Sequence, residues 1–163
     1  MQTILVGYDG TTPAERALQR GAEFARTFHA RVVVVSVAPP PSAAQGVPGA
    51  FGLFSYYPTS VGQFDETRRL DEELWREHRA RVEALFSDAR VEVEFAGVAG
   101  EPVHELVEAA HERHADLIVV GTREPGFLER LLGGSVSEGV ARHARCDVLV
   151  VHPDDDDEER SRR

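Results

Sequence analysis

Short apolar runs recur along the chain, separated by longer segments whose apolar residues repeat at helical spacing. Four of the runs are nearly continuous and rich in valine, isoleucine and leucine, which is typical of strands buried on both faces of a parallel sheet. A fifth run alternates apolar with charged residues, as a half-exposed strand at a sheet edge does. The predicted strands are residues 2–8, 31–38, 90–98, 116–121 and 147–152.

Four amphipathic segments lie between these strands and predict helices. The first would begin with Thr12 as its N-cap, Pro13 at the first helical position and Glu15 closing a capping box. The last would begin in the same way at Ser135, with Glu138 as its capping-box partner. The third opens at Glu101 and Pro102, and the second covers residues 65–88, with Leu70, Leu74, Val82 and Leu85 on one face and Trp75 and Phe86 beside it.

This alternation of strands and helices predicts an α/β fold, a three-layer parallel sheet with right-handed crossovers and helices on both faces. One domain would cover residues 1–153, interrupted by an insertion at 39–62 that contains three consecutive prolines and an aromatic patch. The insertion is either a mobile loop whose aromatic residues pack on the nearest helix or a functional lid. Residues 154–163 form an acidic tail that we expect to be disordered.

Composition narrows the functional classes. A formal charge of −10 argues against nucleic acid as a partner, because its phosphates would be repelled. All 18 basic residues are arginines, which excludes a lysine-containing P-loop, Schiff-base chemistry and a phospho-receiver site with a strand-terminal lysine. No apolar run approaches the ~20 residues that span a bilayer. The start at Met1 shows no signal-peptide pattern and the single Cys146 suits a reducing compartment, so we expect a cytoplasmic protein.

Two strand ends carry the candidate chemistry. Gly7-Tyr8-Asp9-Gly10 follows the first strand, and a glycine-containing loop from Gly121 to Ser135 follows the fourth. In open α/β sheets, ligands bind beyond the carboxyl ends of the strands. Asp9 could accept hydrogen bonds from a nucleotide, while backbone N–H groups near Gly134, Ser135 and Val136 could hold phosphate. The dinucleotide fingerprint G-x-G-x-x-G is not present at Gly7.

Residues 4–10, 115–121 and 134–137, followed by the strand at 148–151, together resemble the universal stress protein family over nearly the whole chain. The resemblance implies a doubly wound, Rossmann-like sheet of five strands in the order 3-2-1-4-5, which places the first and fourth strands side by side. ATP-binding members of that family carry G-x2-G-x9-G-[S/T]. Here Gly121 is the first glycine and Gly134–Ser135 arrives at the expected spacing, but Glu124 stands at the middle glycine position.

The resemblance also implies a ligand and a partner. Asp9 and the backbone at Val37 would hold adenosine, and the loop after the fourth strand would hold ribose and phosphates. The ligand would be ATP, or AMP or ADP, possibly with Mg²⁺, and the protein would form a homodimer through Val148, Leu149, Val150 and Val151. Asp147 departs from the family, where proline commonly precedes that strand. The candidate nucleotide-binding residues are Gly7, Tyr8, Asp9, Val37, Gly121, Thr122, Arg123, Gly126, Gly134, Ser135, Val136 and Ser137.

Two further functions stay open, and the charge of Glu124 bears on the first of them. A carboxylate ~5 Å from a phosphate costs roughly 3 kcal/mol at an effective dielectric of ~20, about a hundredfold in affinity. The cost falls if Glu124 points to solvent, pairs with Arg123 or meets Mg²⁺, and Gly126 could restore backbone freedom. The first alternative is therefore a dimeric interaction module that binds no nucleotide. The second is an enzyme of the wider adenine-nucleotide-hydrolysing superfamily, against which the absence of lysine and of a second catalytic motif argues. In the nucleotide-binding protein itself, any ATP hydrolysis should be slow, because the residues offer no evident base or arginine-finger arrangement.

The remaining chemical candidates have simpler interpretations. His111 and His114 lie three apart on a predicted helix but have no second pair to complete a metal site. His78 falls near the apolar stripe of its helix and is interpreted as a packed histidine. Cys146 precedes a buried strand and is interpreted as a small core residue rather than a redox sensor.

Overall fold

A computed structural model describes residues 1–38, 62–87, 90–122 and 136–152, the side chains of 62–67 excepted. Most of the 39–62 insertion, the loop carrying Glu124, the predicted cap Ser135 and the acidic tail lie outside the described residues. The elements are β1 (Thr3–Gly7), α1 (Thr12–Phe28), β2 (Arg31–Ala38), α2 (Gly62–Phe86), β3 (Val93–Ala99), α3 (Pro102–Glu112), β4 (Leu117–Gly121), α4 (Val136–His143) and β5 (Asp147–Val151).

The five strands form one parallel sheet in the order β3-β2-β1-β4-β5. The predicted fold class and strand order are therefore confirmed, including the position of β3 at an edge. Valines and isoleucine fill the central strands because both of their faces are covered by helices. The central strand β1 keeps Ile4, Leu5 and Val6 at 0% exposure.

Two apolar cores lie on opposite faces of the sheet. Alternate residues of β1 point to opposite faces, as the pleat of a strand requires. Ile4 and Val6 pack with α1 and α2, whereas Leu5 packs with α3 and α4. This gives the three layers that the sequence pattern predicts, with a helix pair on each face.

Two details of the helices differ from the sequence predictions. The N-cap of α1 is Thr11 rather than Thr12, and it makes no side-chain capping bond; its carbonyl instead accepts from the backbone of Glu15. The predicted capping box is therefore wrong, and the Glu15 side chain pairs with Arg81 at 2.7 Å. By contrast, Glu101 caps α3 as its position suggested, accepting from Val103 and His104.

The apolar face of α2 is the second difference. Leu70 is 49% exposed, so it does not belong to the buried stripe. The physical reason is length, since α2 has 25 residues and the strands that it covers have only five to eight. The buried positions of α2 lie in its second half, at His78, Val82 and Phe86.

Candidate functional site

The carboxyl ends of β1 and β4 lie side by side. Ile4 pairs with Leu117, Leu5 with Ile118 and Val6 with Val119 in parallel register. The next residues along the two strands lead to the Gly7–Gly10 turn and to Gly121. After β1 the chain continues to α1 on one face of the sheet, and after β4 it continues to α4 on the other face. The two predicted halves of the site therefore meet at a topological switch point, where open α/β sheets bind ligands.

Asp9 is held in a turn by the residue that caps α1. Its Oδ1 accepts from the backbone N of Thr11 at 3.1 Å and from Thr11 Oγ1 at 2.5 Å. The Thr11 hydroxyl thus fixes the carboxylate rather than capping the helix. Asp9 is exposed at the carboxyl edge. A carboxylate held in this way is preorganised to accept hydrogen bonds from hydroxyl or amino groups of a ligand.

The end of β2 reaches the same edge of the sheet as the end of β1. The backbone N of Tyr8 donates to the carbonyl of Val35 at 2.9 Å, so the chain is still paired to β2 one residue past β1. Gly7 pairs with Val35, and Asp9 and Val37 each follow that pair by two residues along their own segments. Val37 is half-buried. The contact between the Val37 backbone and adenosine that the resemblance implies stays a prediction.

Gly121 lies directly under the start of α1. A Cβ added to Gly121 would lie 2.3 Å from the carbonyl oxygen of Pro13, which is impossible without a backbone shift. The absence of a side chain therefore lets the first turn of α1 approach the end of β4. Thr122 follows at once, and its backbone N donates to the carbonyl of Val151 at 2.9 Å.

Two helix N-termini face the same edge of the sheet. Helix α1 starts at Thr12 and α4 at Val136, each after a connection from the carboxyl end of a strand. The positive ends of both helix dipoles are thereby directed toward the candidate site, which favours an anion. Val136 is exposed and Ser137 is buried. Arg123, Gly126, Gly134 and Ser135, which complete the predicted phosphate loop, lie outside the described residues.

A buried polar cluster under the Asp9 turn was not anticipated. Nδ1 of His78 and Oγ of Ser36 form a 2.8 Å hydrogen bond, with exposures of 8% and 0%. The rings of His78 and Tyr8 form a T-shaped pair with a centroid distance of 4.9 Å. A Cβ at Gly10 would lie 2.7 Å from His78 Nε2, so that nitrogen packs against the turn.

The interpretation of His78 as a packed histidine is confirmed, but its partners were missed. One signal was available in the sequence: Trp75, His78 and Val82 recur at helical spacing, and a polar side chain in a buried stripe must find a hydrogen-bond partner. Burial lowers the pKa of His78 below the ordinary histidine value, against the opposing influence of Asp9 and Glu77. The ring is therefore neutral at neutral pH.

The other chemical candidates contribute little in the described part of the chain. Over those residues, no group of three or more histidine, cysteine, aspartate or glutamate side chains is arranged to hold a metal ion. Burial raises the pKa of the Cys146 thiol, and Cys146 packs against the α3–α4 core, as expected for a small core residue. A groove of about 570 Å³ lies between α1 and β5, beside the outer strand.

The carboxyl edge of β1 and β4 offers an acceptor carboxylate, backbone groups at the strand ends and two positively polarised helix ends. The model of the universal stress protein family matches residues 1–152. The chain belongs to the universal stress protein family. A putative universal stress protein of Staphylococcus aureus (strain USA300) is 32% identical over 157 residues, covering 94% of this chain and 86% of the relative.

Solved structures of universal stress proteins share the fold. A universal stress protein crystallised in complex with cAMP is 29% identical, with a TM-score of 0.64 and coverage of 94% of this chain and 98% of the other. A second, from Archaeoglobus fulgidus in complex with dAMP, is 24% identical, with a TM-score of 0.57 and coverage of 92% and 97%; it supports the fold. Among the described residues, no helix is long and apolar enough to cross a membrane.

Proposed function

We propose that this universal stress protein binds an adenine nucleotide at the carboxyl edge of β1 and β4 and acts as a stress-response regulator. The observation that carries the proposal is the adjacency of these two strands, which brings the Asp9 turn beside Gly121. The relative that is 29% identical was crystallised with cAMP, which supports an adenine nucleotide as the ligand class.

The geometry suggests a division of labour within the site. Asp9 and the backbone of Val37 would contact adenosine, because both lie at the β1–β2 end of the edge. Gly121, Thr122 and the N-terminus of α4 would face ribose and phosphate, where the helix dipoles favour negative charge. The proposed set also includes Gly7, Tyr8, Arg123, Gly126, Gly134, Ser135, Val136 and Ser137.

Among adenine nucleotides, we propose that AMP-type ligands are tolerated better than ATP. Glu124 occupies the middle position of the phosphate motif, and each added phosphate brings more negative charge toward it. Mg²⁺ accompanying ATP or ADP would offset part of that repulsion. We propose binding rather than turnover, since the chain has neither a P-loop lysine nor a second catalytic motif.

We propose a cytoplasmic homodimer as the working state. β5 stands at the end of the sheet, and Val148, Leu149, Val150 and Val151 are only half-buried in the single chain. An apolar outer strand of this kind is a template for pairing with a second copy. The single cysteine fits a reducing compartment.

A second candidate function has one specific observation in its favour. If Glu124 blocks the phosphate loop, the same fold would serve as a dimeric interaction module without nucleotide. The two functions are separated by denaturing the purified protein and analysing the supernatant for adenine nucleotide by mass spectrometry. Melting temperature is then measured against AMP, ADP, ATP and cAMP, where ligand at ~100 times its Kd adds about 2.7 kcal/mol. Released nucleotide, or a melting temperature that rises with ligand concentration, supports the proposal. The proposal is refuted if no nucleotide is released and the melting temperature does not change at millimolar ligand.

A further inference from the structure

The Asp9 turn rests on a side chain from a distant part of the chain. Gly10 has a φ of +78°, a conformation that side chains rarely adopt, and its Cα faces Nε2 of His78. The space between them is closed, because a Cβ at Gly10 would approach Nε2 to 2.7 Å. His78 belongs to α2, so the contact joins that helix to the ligand-facing turn.

The imidazole is itself fixed from the other side. Ser36 is fully buried in β2, and its hydroxyl is hydrogen-bonded to Nδ1 of His78. The Tyr8 ring packs against the imidazole in a T-shaped arrangement with an interplanar angle of 69°. A ring held by a strand hydroxyl and an aromatic neighbour has few alternative rotamers, so its Nε2 edge forms a rigid support.

We propose that His78 is a positioning residue for the nucleotide site, which, through its packing against Gly10 and its hydrogen bond to Ser36, sets where Asp9 meets the ligand. The inference rests on the proposed function of this edge. It adds that α2, rather than β1 and β4 alone, determines the ligand affinity of the site.

The proposal implies a dependence of affinity on pH. Among the described residues, Ser36 on β2 and Tyr8 just after β1 contact the His78 ring, and Asp9 in the turn and Glu77 on α2 act on it electrostatically. A protonated ring would place a cation beside Asp9 and compete with the ligand for that carboxylate. Because burial lowers the pKa of His78, this competition begins only in acidic solution and weakens binding as the pH falls.

Two amide variants, one with a polar group near the position of Nδ1 and one near that of Nε2, separate the two contacts of the ring. His78→Asn can keep a hydrogen bond to Ser36 but leaves the space beside Gly10 empty. His78→Gln reaches the position of Nε2 and keeps that space filled. His111→Asn is the matched control, since His111 is an exposed histidine on α3. AMP is the probe, and each variant is compared with the wild type at the same pH, so that titration of the AMP phosphate cancels.

Isothermal titration with AMP at pH 7.5 should show His78→Asn binding about tenfold more weakly than the wild type and His111→Asn unchanged. His78→Gln should recover only part of the loss, because it fills the space beside Gly10 but gives up the bond to Ser36. Between pH 7.5 and about 5.5, the wild type should lose affinity relative to His78→Gln, which cannot titrate. The inference would be overturned, and the proposed function left intact, if His78→Asn bound AMP as tightly as the wild type and the affinities of the wild type and His78→Gln changed with pH in parallel.

Failure of the wild type to bind AMP at all would refute the proposed function and this inference with it. If His78→Asn does not fold, Ser36→Ala serves instead, because it leaves the ring in place and removes only the bond that orients it. Weaker AMP binding by folded Ser36→Ala supports the proposal, and unchanged affinity refutes it.

Discussion

Pro13 and Gly121 approach each other closely, since the carbonyl oxygen of Pro13, in the first turn of α1, lies 2.3 Å from the position that a Cβ of residue 121 would take. This contact joins the two halves of the candidate site mechanically, because any side chain at 121 must push α1 away from β4. It gives the first glycine of the phosphate motif a structural role that is independent of ligand binding.

Gly121→Ala should therefore destabilise the protein by roughly 1–3 kcal/mol, since backbone rather than a flexible side chain must move. The same displacement should weaken AMP binding. The measurement is urea unfolding of the free protein, followed by AMP titration. Gly100→Ala is the control, because the atoms nearest to its new Cβ belong to the side chain of Glu105 rather than to backbone. Equal stability of the two variants would show that α1 does not rest on Gly121.

Asp9→Asn tests the acceptor directly. The amide oxygen can still accept from Thr11, so the turn should be retained, whereas the charge that strengthens a hydrogen bond to the ligand is lost. We expect AMP to bind about 10- to 100-fold more weakly, with little change in unfolding free energy. Unchanged affinity would place the ligand away from Asp9.

Asp116→Asn is the matched substitution at the opposite end of the sheet, where it should leave AMP affinity unchanged. Asp116 Oδ2 accepts from the backbone N of Gln2 at 2.6 Å and of Thr3 at 3.0 Å, and these bonds lower the pKa of Asp116. A lowered pKa in the folded state contributes stability that is complete above the ordinary aspartate pKa and is lost as the pH falls through the folded value.

We expect Asp116→Asn to lower the free energy of unfolding by only about 1 kcal/mol at pH 7, because this site is exposed and solvent screens it. The loss should be smaller in acid, where Asp116 of the wild type becomes protonated. Urea unfolding at several pH values checks the sign. A difference between wild type and Asp116→Asn that grows as the solution is acidified would contradict the assignment.

Glu124→Gly should strengthen ATP binding by up to about a hundredfold and AMP binding by less, because the repulsion scales with the phosphate charge near residue 124. Glu124→Gln separates charge from backbone freedom, since it removes the charge and keeps the side chain. ATP affinities of both variants equal to that of the wild type would mean that Glu124 points away from the phosphates.

Much of the fold followed from the sequence because buried strands and amphipathic helices have distinct periods. Each of the five strands coincides with an apolar pattern in the sequence, and β2 has the bounds 31–38 that the valine-rich run predicts. Periodicity could not show how much of α2 packs on the sheet. The buried face predicted for that helix therefore includes Leu70, which is exposed.

The site was harder to predict at the level of single contacts. Thr11 and Thr12 both precede Pro13, and a local pattern cannot show that Thr11 supplies its hydroxyl to Asp9. The His78–Ser36 pair joins residues 42 apart in the chain, which only the packing of α2 on β2 brings together. Motif spacing identified which strand ends carry the candidate site. The contacts between those ends and the helices form only in the folded chain.

The central claim is that an adenine nucleotide binds at the carboxyl edge of β1 and β4, and an amide chemical-shift map with AMP tests it most directly. On ¹⁵N-labelled protein, AMP should shift the amides of Asp9, Val37, Gly121 and Val136. Residues of the groove between α1 and β5, such as Gln19, should remain unaffected. Saturable shifts confined to that groove, or none at millimolar AMP, would contradict the claim.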